Sequence, residues 1–340
     1  MMQSWLSTLF QLGPSLKAHI LELFGRLKSI IHDQNVLRIF LTFSATKPWS
    51  RWGLPAICTA GVLYICGKTW SRLTLNNYTS DMWDWSREVV LITGGCGGIG
   101  EQIARKLAER GITVAVLDIM SPKTALPAHV HLYKCDITSI EAIRRTAEQL
   151  RKDIGSPTVL INNAGVGSSK DVLEETDEEI ERTFNVNILA HFWTVREFLP
   201  HMIQRNHGHI VTVASLASFV TIASNVDYSC TKAAALSFHE GLTQELRHRY
   251  GARKVRTSII HPTWVRTPLI EGLVTSDRWN SKTIDVHTVA ETVVSQILGG
   301  QSGQLFLPGS YAVTSLLKGF PSWLQESIRN GQSAVLRADD

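Results

Sequence analysis

A short apolar run, Val89–Thr93, leads straight into Gly94-Gly95-Cys96-Gly97-Gly98-Ile99-Gly100, and that string opens a helical pattern over Ile99–Arg110. Five glycines in seven positions between a strand and a helix leave few folds open. Glycine lets the backbone turn sharply and lets an anion approach it closely. The free N–H groups and the dipole at a helix start favour negative charge. In this strand–glycine–helix context the string reads as the pyrophosphate turn of a dinucleotide fold. Gly94, Cys96, Gly98, Ile99 and Gly100 are the residues it assigns to that contact.

The rest of the body follows the same plan. Further strands are expected at Thr113–Asp118, His131–Asp136, Val159–Asn162, His209–Ala214, Val255–Ile260 and Gln304–Leu307. Between them, helical periodicity covers Ser139–Lys152, Asp177–Gln204, Val226–Tyr250 and Val286–Leu298. Continuous apolar strands alternating with helices predict a parallel sheet covered on both faces. The fold class is α/β, a Rossmann-type doubly wound sheet of seven strands. Its ligand site belongs at the carboxyl ends of the strands.

Candidate site residues cluster at those ends. Asp118 closes the second strand, where a carboxylate can accept from both ribose hydroxyls and repel a 2′-phosphate. It points to NAD(H) as preferred cofactor, with NADP(H) still open; Lys123 is the first cation after it. Asp136, before Ile137 at the third strand's end, reads equally as an adenine contact or as a helix N-cap. Asn163 lies in the turn after the fourth strand. Tyr228 and Lys232, four apart, share one helix face. An adjacent ammonium would lower the tyrosine's pKa from about 10 and make it a usable acid/base. Ser215 ends the fifth strand and can hold a substrate oxygen beside Tyr228. Asn187, between Val186 and Ile188, reads as a water anchor near Lys232 or as a helix-kink residue.

Ahead of this body lies a segment of different character. Residues 1–80 hold eight Lys/Arg against two acids, Glu22 and Asp33, so the chain's formal charge of +4 is concentrated there. Six of ten tryptophans fall within the first 85 residues. Leu16, Ile20, Phe24, Leu27 and Ile31 recur at helical spacing, as in a helix lying on a membrane. The uncharged run Trp52–Gly67 is shorter than the roughly 20 residues of a spanning helix and includes Pro55. Membrane association is expected, by a span or by lying in the interface, with membrane lipid as a partner. A near-neutral body argues against nucleic acid as a ligand. Five cysteines without CxxC spacing argue against a disulfide framework or a zinc site, so no metal is expected.

Taken in order, TGxxxGxG, the acidic strand end, Asn162-Asn163-Ala164-Gly165, Asn187, Ser215 and Tyr-x-x-x-Lys resemble the short-chain dehydrogenase/reductase family over about residues 87–310. Asn187–Trp193 and Asn206–Ser215 look like its membrane-bound retinol and hydroxysteroid dehydrogenase branch. The resemblance implies hydride transfer between a nicotinamide and a lipophilic alcohol or its carbonyl, at endoplasmic reticulum or lipid droplets with the catalytic domain facing the cytosol. It implies Tyr228 as acid/base, Lys232 as its modulator and a ribose contact, Ser215 on the substrate oxygen and Asn187 in a proton relay. Val265 and Thr267 would hold the nicotinamide carboxamide, and a homodimer is implied as possible. Pro262-Thr263 stands where the family has Pro-Gly, and Ala217-Ser218 where it has Ala-Gly. An apolar substrate pocket is expected around Phe219 and Trp264. Two other functions are open: an NADPH-dependent ketoreductase of lipid or secondary-metabolite synthesis, and a non-catalytic membrane scaffold, against which Ser215, Tyr228 and Lys232 argue. The expected domains are a helical segment 1–80, a catalytic domain 81–310 and an extension 311–340. Apolar residues of the extension between Leu316 and Ile328 are placed to cover the pocket or touch a membrane.

Overall fold

The computed structural model describes residues 50–275, 279, 281–332 and 336, with side chains from residue 57 onward. The expected helix around Leu16–Ile31 lies outside the described residues. The chain divides into two compact units, Met1–Trp70 and Ser71–Asp340. In the first, helix α1 (Ser50–Leu75) begins and takes up the whole uncharged run 52–67. Ile57, Leu63 and Tyr64 are exposed on it. Among the described residues, no helix is long and apolar enough to cross a membrane.

The second unit is built on β1 (Val89–Thr93), β2 (Thr113–Asp118), β3 (Val130–Lys134), β4 (Val159–Asn162), β5 (Gly208–Val213), β6 (Val255–Pro262) and β7 (Gly303–Leu307). All pair in parallel in the order β3-β2-β1-β4-β5-β6-β7. The strand order reverses between β1 and β4, which opens a crevice at their carboxyl ends. Helices α2 (Gly98–Ala108) and α7 (Val286–Leu298) cover one face through Ile103, Leu107, Val289, Val293 and Ile297. Helices α3 (Ile140–Asp153), α5 (Ala190–Arg205) and α6 (Val226–His248) cover the other through Ile143, Leu150, Phe198, Met202, Leu242 and Leu246. Burial on both faces is why the strands read as unbroken apolar runs.

Two differences from the expected elements have physical causes. The helix expected over Asp177–Gln204 is interrupted: α4 (Asp177–Phe184) passes into a π-helical turn, Asn185–Leu189, before α5. A π turn adds a residue and re-aims the side chains around it. Here it turns Asn187 onto the chain after β4. Strand β3 stops at Lys134, because the Asp136 carboxylate folds the next residues into a turn by accepting from Thr138 N and Oγ1.

Residues 76–85 form a strap against the amino ends of the strands. Arg256 of β6, 1% exposed, donates to Asn76 O (3.0 Å), Thr79 Oγ1 (3.2 Å) and Thr79 O (2.9 Å). The side-chain oxygen of Asn76 accepts from Ser302 N–H at 2.9 Å. His207 bridges Asp81 and Glu88 at 2.6 and 3.2 Å. Trp83 stacks on Trp85 and takes the space where a Cβ on Gly300 would stand. The residues just before 81 therefore pack with the sheet.

Candidate active site

The site begins with the turn after β1. Gly94 takes a left-handed φ of +68° and donates its N–H to Leu117 O at 2.8 Å. Gly100 packs the first turn of α2 against it: a Cβ there would lie 2.3 Å from Gly94 O and 2.5 Å from Asn163 Nδ2. Asn163 Nδ2 in turn donates to Thr93 O and Gly94 O, both at 3.0 Å. Thr93 Oγ1 accepts from Asn163 N and Ala164 N, both at 3.1 Å. Thr93 was not among the expected site residues. Its signal is a hydroxyl at the end of an otherwise apolar strand.

This cradle fits a pyrophosphate. No side chain caps α2, and a Cβ on Gly97 at its N-cap would meet only open space. The N–H groups of the first turn thus face an anion site with nothing of the protein in it. Asp118 Oδ2 accepts from Cys96 N–H at 2.8 Å and Oδ1 from Met120 N–H at 2.8 Å. The carboxylate is held in place and also forms the turn after β2. Burial, with the Asp118 carboxylate beside it, pushes the Cys96 thiol up to about 11. Asp136 is a turn former rather than a helix cap. The α3 cap is Ser139, whose side chain accepts from Ala142 N–H.

At the other end of the crevice, Ser215 follows β5 in extended conformation. Its hydroxyl accepts from Ala217 N–H at 3.1 Å and donates to Pro262 O at 3.5 Å. Burial pushes Tyr228 up to about 12, while the Ser215 hydroxyl beside it pulls the other way. This corrects the expectation of a tyrosine lowered by its lysine. Lys232 Nζ lies 5.3 Å from the Tyr228 ring centroid and donates to Val213 O at 3.0 Å. Its own pKa drops to about 8 through burial.

Asn187 is fully buried. Its amide donates to Val166 O (2.9 Å) and Thr231 Oγ1 (3.1 Å) and accepts from Val166 N–H (2.9 Å). Both its N–H groups are committed to protein, so it clamps the chain after β4. A methyl on Gly165 would stand 3.6 Å from both Asn187 Oδ1 and Lys232 Nζ, and one on Gly167 would stand 3.2 Å from the Tyr228 ring. The clamped segment therefore forms one wall around Tyr228 and Lys232.

One cavity of about 1200 Å³ joins these parts. Gly94, Cys96, Gly98, Ile99, Asp118, Asp136, Ile137, Asn163, Ser215, Tyr228, Lys232, Trp264, Val265 and Thr267 of the expected set line it. Gly100, Asn187 and Phe219 do not. Gly100 and Asn187 act from behind the wall. Phe219 points away, against His261 at 4.9 Å and Phe306 at 5.7 Å between ring centroids. Thr263 lines the cavity without positive φ, so the glycine missing there is not needed for the backbone. The extension contributes Tyr311, Val313, Leu317, Phe320 and Ile328 to the lining. A proton-bearing phenol and a buried ammonium at one end, with an anion cradle at the other, suit hydride and proton exchange at a carbon–oxygen centre.

Comparison with known proteins agrees with this geometry. A family model described as short chain dehydrogenase matches residues 88–277. The chain belongs to that family. The chain is 37% identical over 239 residues to "Estradiol 17-beta-dehydrogenase 11" of Rattus norvegicus, covering 68% of this chain and 78% of that one. It is 49% identical over 193 residues to "Dehydrogenase RED2" of Cochliobolus heterostrophus, covering 56% and 73%. The fold is shared with a 3-ketoacyl-(acyl-carrier-protein) reductase from Brucella melitensis complexed with NADH, at TM-score 0.56 and 22% identity over 64% of this chain and 96% of that one. It is shared also with the NADP-bound ElxO, at TM-score 0.59 and 21% identity over 66% and 98%. The protein is an oxidoreductase acting on CH–OH groups with a nicotinamide dinucleotide.

Proposed function

We propose that this short-chain dehydrogenase interconverts a lipophilic alcohol, of retinoid, steroid or long-chain type, and its carbonyl at a membrane surface. The observation that carries the substrate class is the apolar part of the cavity lining, which includes Leu216, Leu269, Leu273, Val313, Leu317 and Phe320. Such a wall gains by removing apolar surface from water at about 25 cal/mol per Å². The name of the estradiol dehydrogenase relative supports the same class.

When bound, the nicotinamide supplies or takes the hydride. Tyr228 holds the proton: at neutral pH it is a phenol and donates to a carbonyl oxygen, and in oxidation it must first lose its proton, after which the phenolate takes the proton from the alcohol. Ser215 orients that oxygen, and Lys232 contributes positive charge and a ribose contact. Asp118, fixed by Cys96 and Met120 N–H groups, favours NAD(H). Ser121 and Lys123 also line the cavity near it and favour a second reading, an NADPH-dependent ketoreductase. The basic, tryptophan-rich segment before the sheet anchors the enzyme at endoplasmic reticulum or lipid droplets, with the site on the cytosolic side.

The test is a screen of retinol, hydroxysteroids and long-chain alcohols with NAD and NADP, using full-length protein in membranes. Oxidation of at least one class, lost in Tyr228→Phe with cofactor binding intact, is expected. Turnover confined to short polar alcohols would refute the substrate class, and a strong NADP(H) preference would refute the role given to Asp118.

A further inference from the structure

His261 stands one residue before the end of β6, fully buried, opposite Phe306 of β7. Its ring stacks on Phe306 at 5.1 Å and 22° and lies 4.9 Å from Phe219. An apolar box of this kind accepts an imidazole only if its nitrogens are hydrogen-bonded. Both are. Nδ1 lies 3.0 Å from the main-chain oxygen of Ser215, and Nε2 lies 3.2 Å from Gln304 Nε2 on β7.

The two partners together fix the tautomer. A carbonyl can only accept, so Nδ1 carries the hydrogen. An amide nitrogen can only donate, so Nε2 is bare. Burial lowers the ring's pKa to about 4, against the raising effect of the Ser215 bond, and the ammonium of Lys232 adds to the lowering. Lys232 and His239, both on α6, are the titratable groups that act on this ring. The β5, β6 and β7 sides offer it a carbonyl, two phenyl rings and an amide.

The Ser215 carbonyl also accepts from Ser218 N–H at 3.1 Å. With His261 it has two donors, and the main chain at Ser215 is held from two directions. The same residue lines the cavity together with Tyr228.

We propose that His261 is a positioning residue for Ser215, and that Gln304, exposed at the sheet edge, sets the tautomer that does it. A neutral ring with hydrogen on Nδ1 holds the Ser215 carbonyl, which aims the hydroxyl at the reacting oxygen. Its neutrality leaves Lys232 as the full charge beside Tyr228. This rests on the reading of Ser215 and Tyr228 as the groups that meet substrate.

The test uses the full chain, with retinol and a hydroxysteroid as probe substrates. His261→Phe fills the box without a donor and should lower kcat by about a hundredfold, the cost of a small misplacement, with KM for cofactor unchanged. His261→Asn offers an amide N–H near the Nδ1 position and should recover about tenfold of that loss. Gln304→Glu replaces the donor with a carboxylate, draws a proton to Nε2 and should add an ionisation to the kcat profile between roughly pH 5 and 8. Imidazole nitrogen NMR of the unmodified protein should show hydrogen on Nδ1 alone over the same range; hydrogen on Nε2 would overturn the proposal whatever the variants do. So would a His261→Phe enzyme within about twofold of the parent, or a Gln304→Glu profile identical to it. Ser215→Ala and Tyr228→Phe are measured alongside. If they keep turnover, the reading of the site falls; if they lose it and His261→Phe does not, only the positioning role falls.

Discussion

Replacing Asn187 with alanine removes three hydrogen bonds at once, two to Val166 and one to Thr231 Oγ1. Each nets about 0.5–1.5 kcal/mol, so roughly 3 kcal/mol is at stake. Two facts reduce this. Thr231 Oγ1 keeps its own donation to Tyr228 O at 2.7 Å. Val166 lines the cavity, so water can reach its freed N–H and C=O. A loss of about 2 kcal/mol is expected, or roughly 4–8 °C in Tm for a unit of this size. The larger effect should be kinetic. The freed segment carries Gly165, beside Lys232, and Gly167, beside the Tyr228 ring. Their displacement should lower kcat by about tenfold to a hundredfold while cofactor Kd changes little. Calorimetry and steady-state kinetics on the same preparation decide the matter. A Tm within about 1 °C of the parent would show that the clamp holds nothing. A lowered Tm with kcat intact would show that it holds the fold but not the reacting groups.

Four further outcomes are expected. Oxidation should speed up from neutral pH to pH about 9, because a tyrosine raised to about 12 must lose its proton to act as base, while reduction should not; equal profiles in stopped assays of both directions would contradict this. His207 is raised by its bond to Glu88 against the effect of burial, with Asp81 adding to the rise. Its stabilisation is therefore full below the ordinary histidine pKa and lost as pH climbs through the raised value, so urea midpoints should fall between roughly pH 6 and 8, and stay level in His207→Gln. Asp118→Ser should shift kcat/KM toward NADP by about tenfold, with some loss of stability as the Cys96 and Met120 N–H groups lose their acceptor. A chain starting at residue 71 should leave membranes and keep its Tm, whereas one starting at 81 should melt several degrees lower, because Arg256 loses Asn76 and Thr79; equal melting would show that the strap contributes nothing.

Much of the site was legible along the chain because its parts are local. A glycine string between strand and helix, an acid at a strand end and a tyrosine four before a lysine each follow from the period and reach of one element. The set Gly94, Cys96, Asp118, Asn163, Ser215, Tyr228 and Lys232 meets in one cavity for that reason. Phe219 reads as a pocket residue by its place after Ser215, yet the 3₁₀ turn Leu216–Ser218 carries it toward His261. Thr93 opens the TGxxxGxG string but nothing in the string shows that its hydroxyl holds the turn after β4, and His261 carries no motif. Each acts on a residue of another strand.

Periodicity and glycine placement act over a few residues, so the doubly wound sheet and the order in which chemistry-bearing residues reach its carboxyl edge are legible along the chain. The proton affinity of Tyr228, the clamping of Asn187, the tautomer of His261 and the apolar lining that the extension contributes come only with packing. Those depend on burial and on partners tens of residues away, and desolvation is a property of the packed molecule that no single element carries.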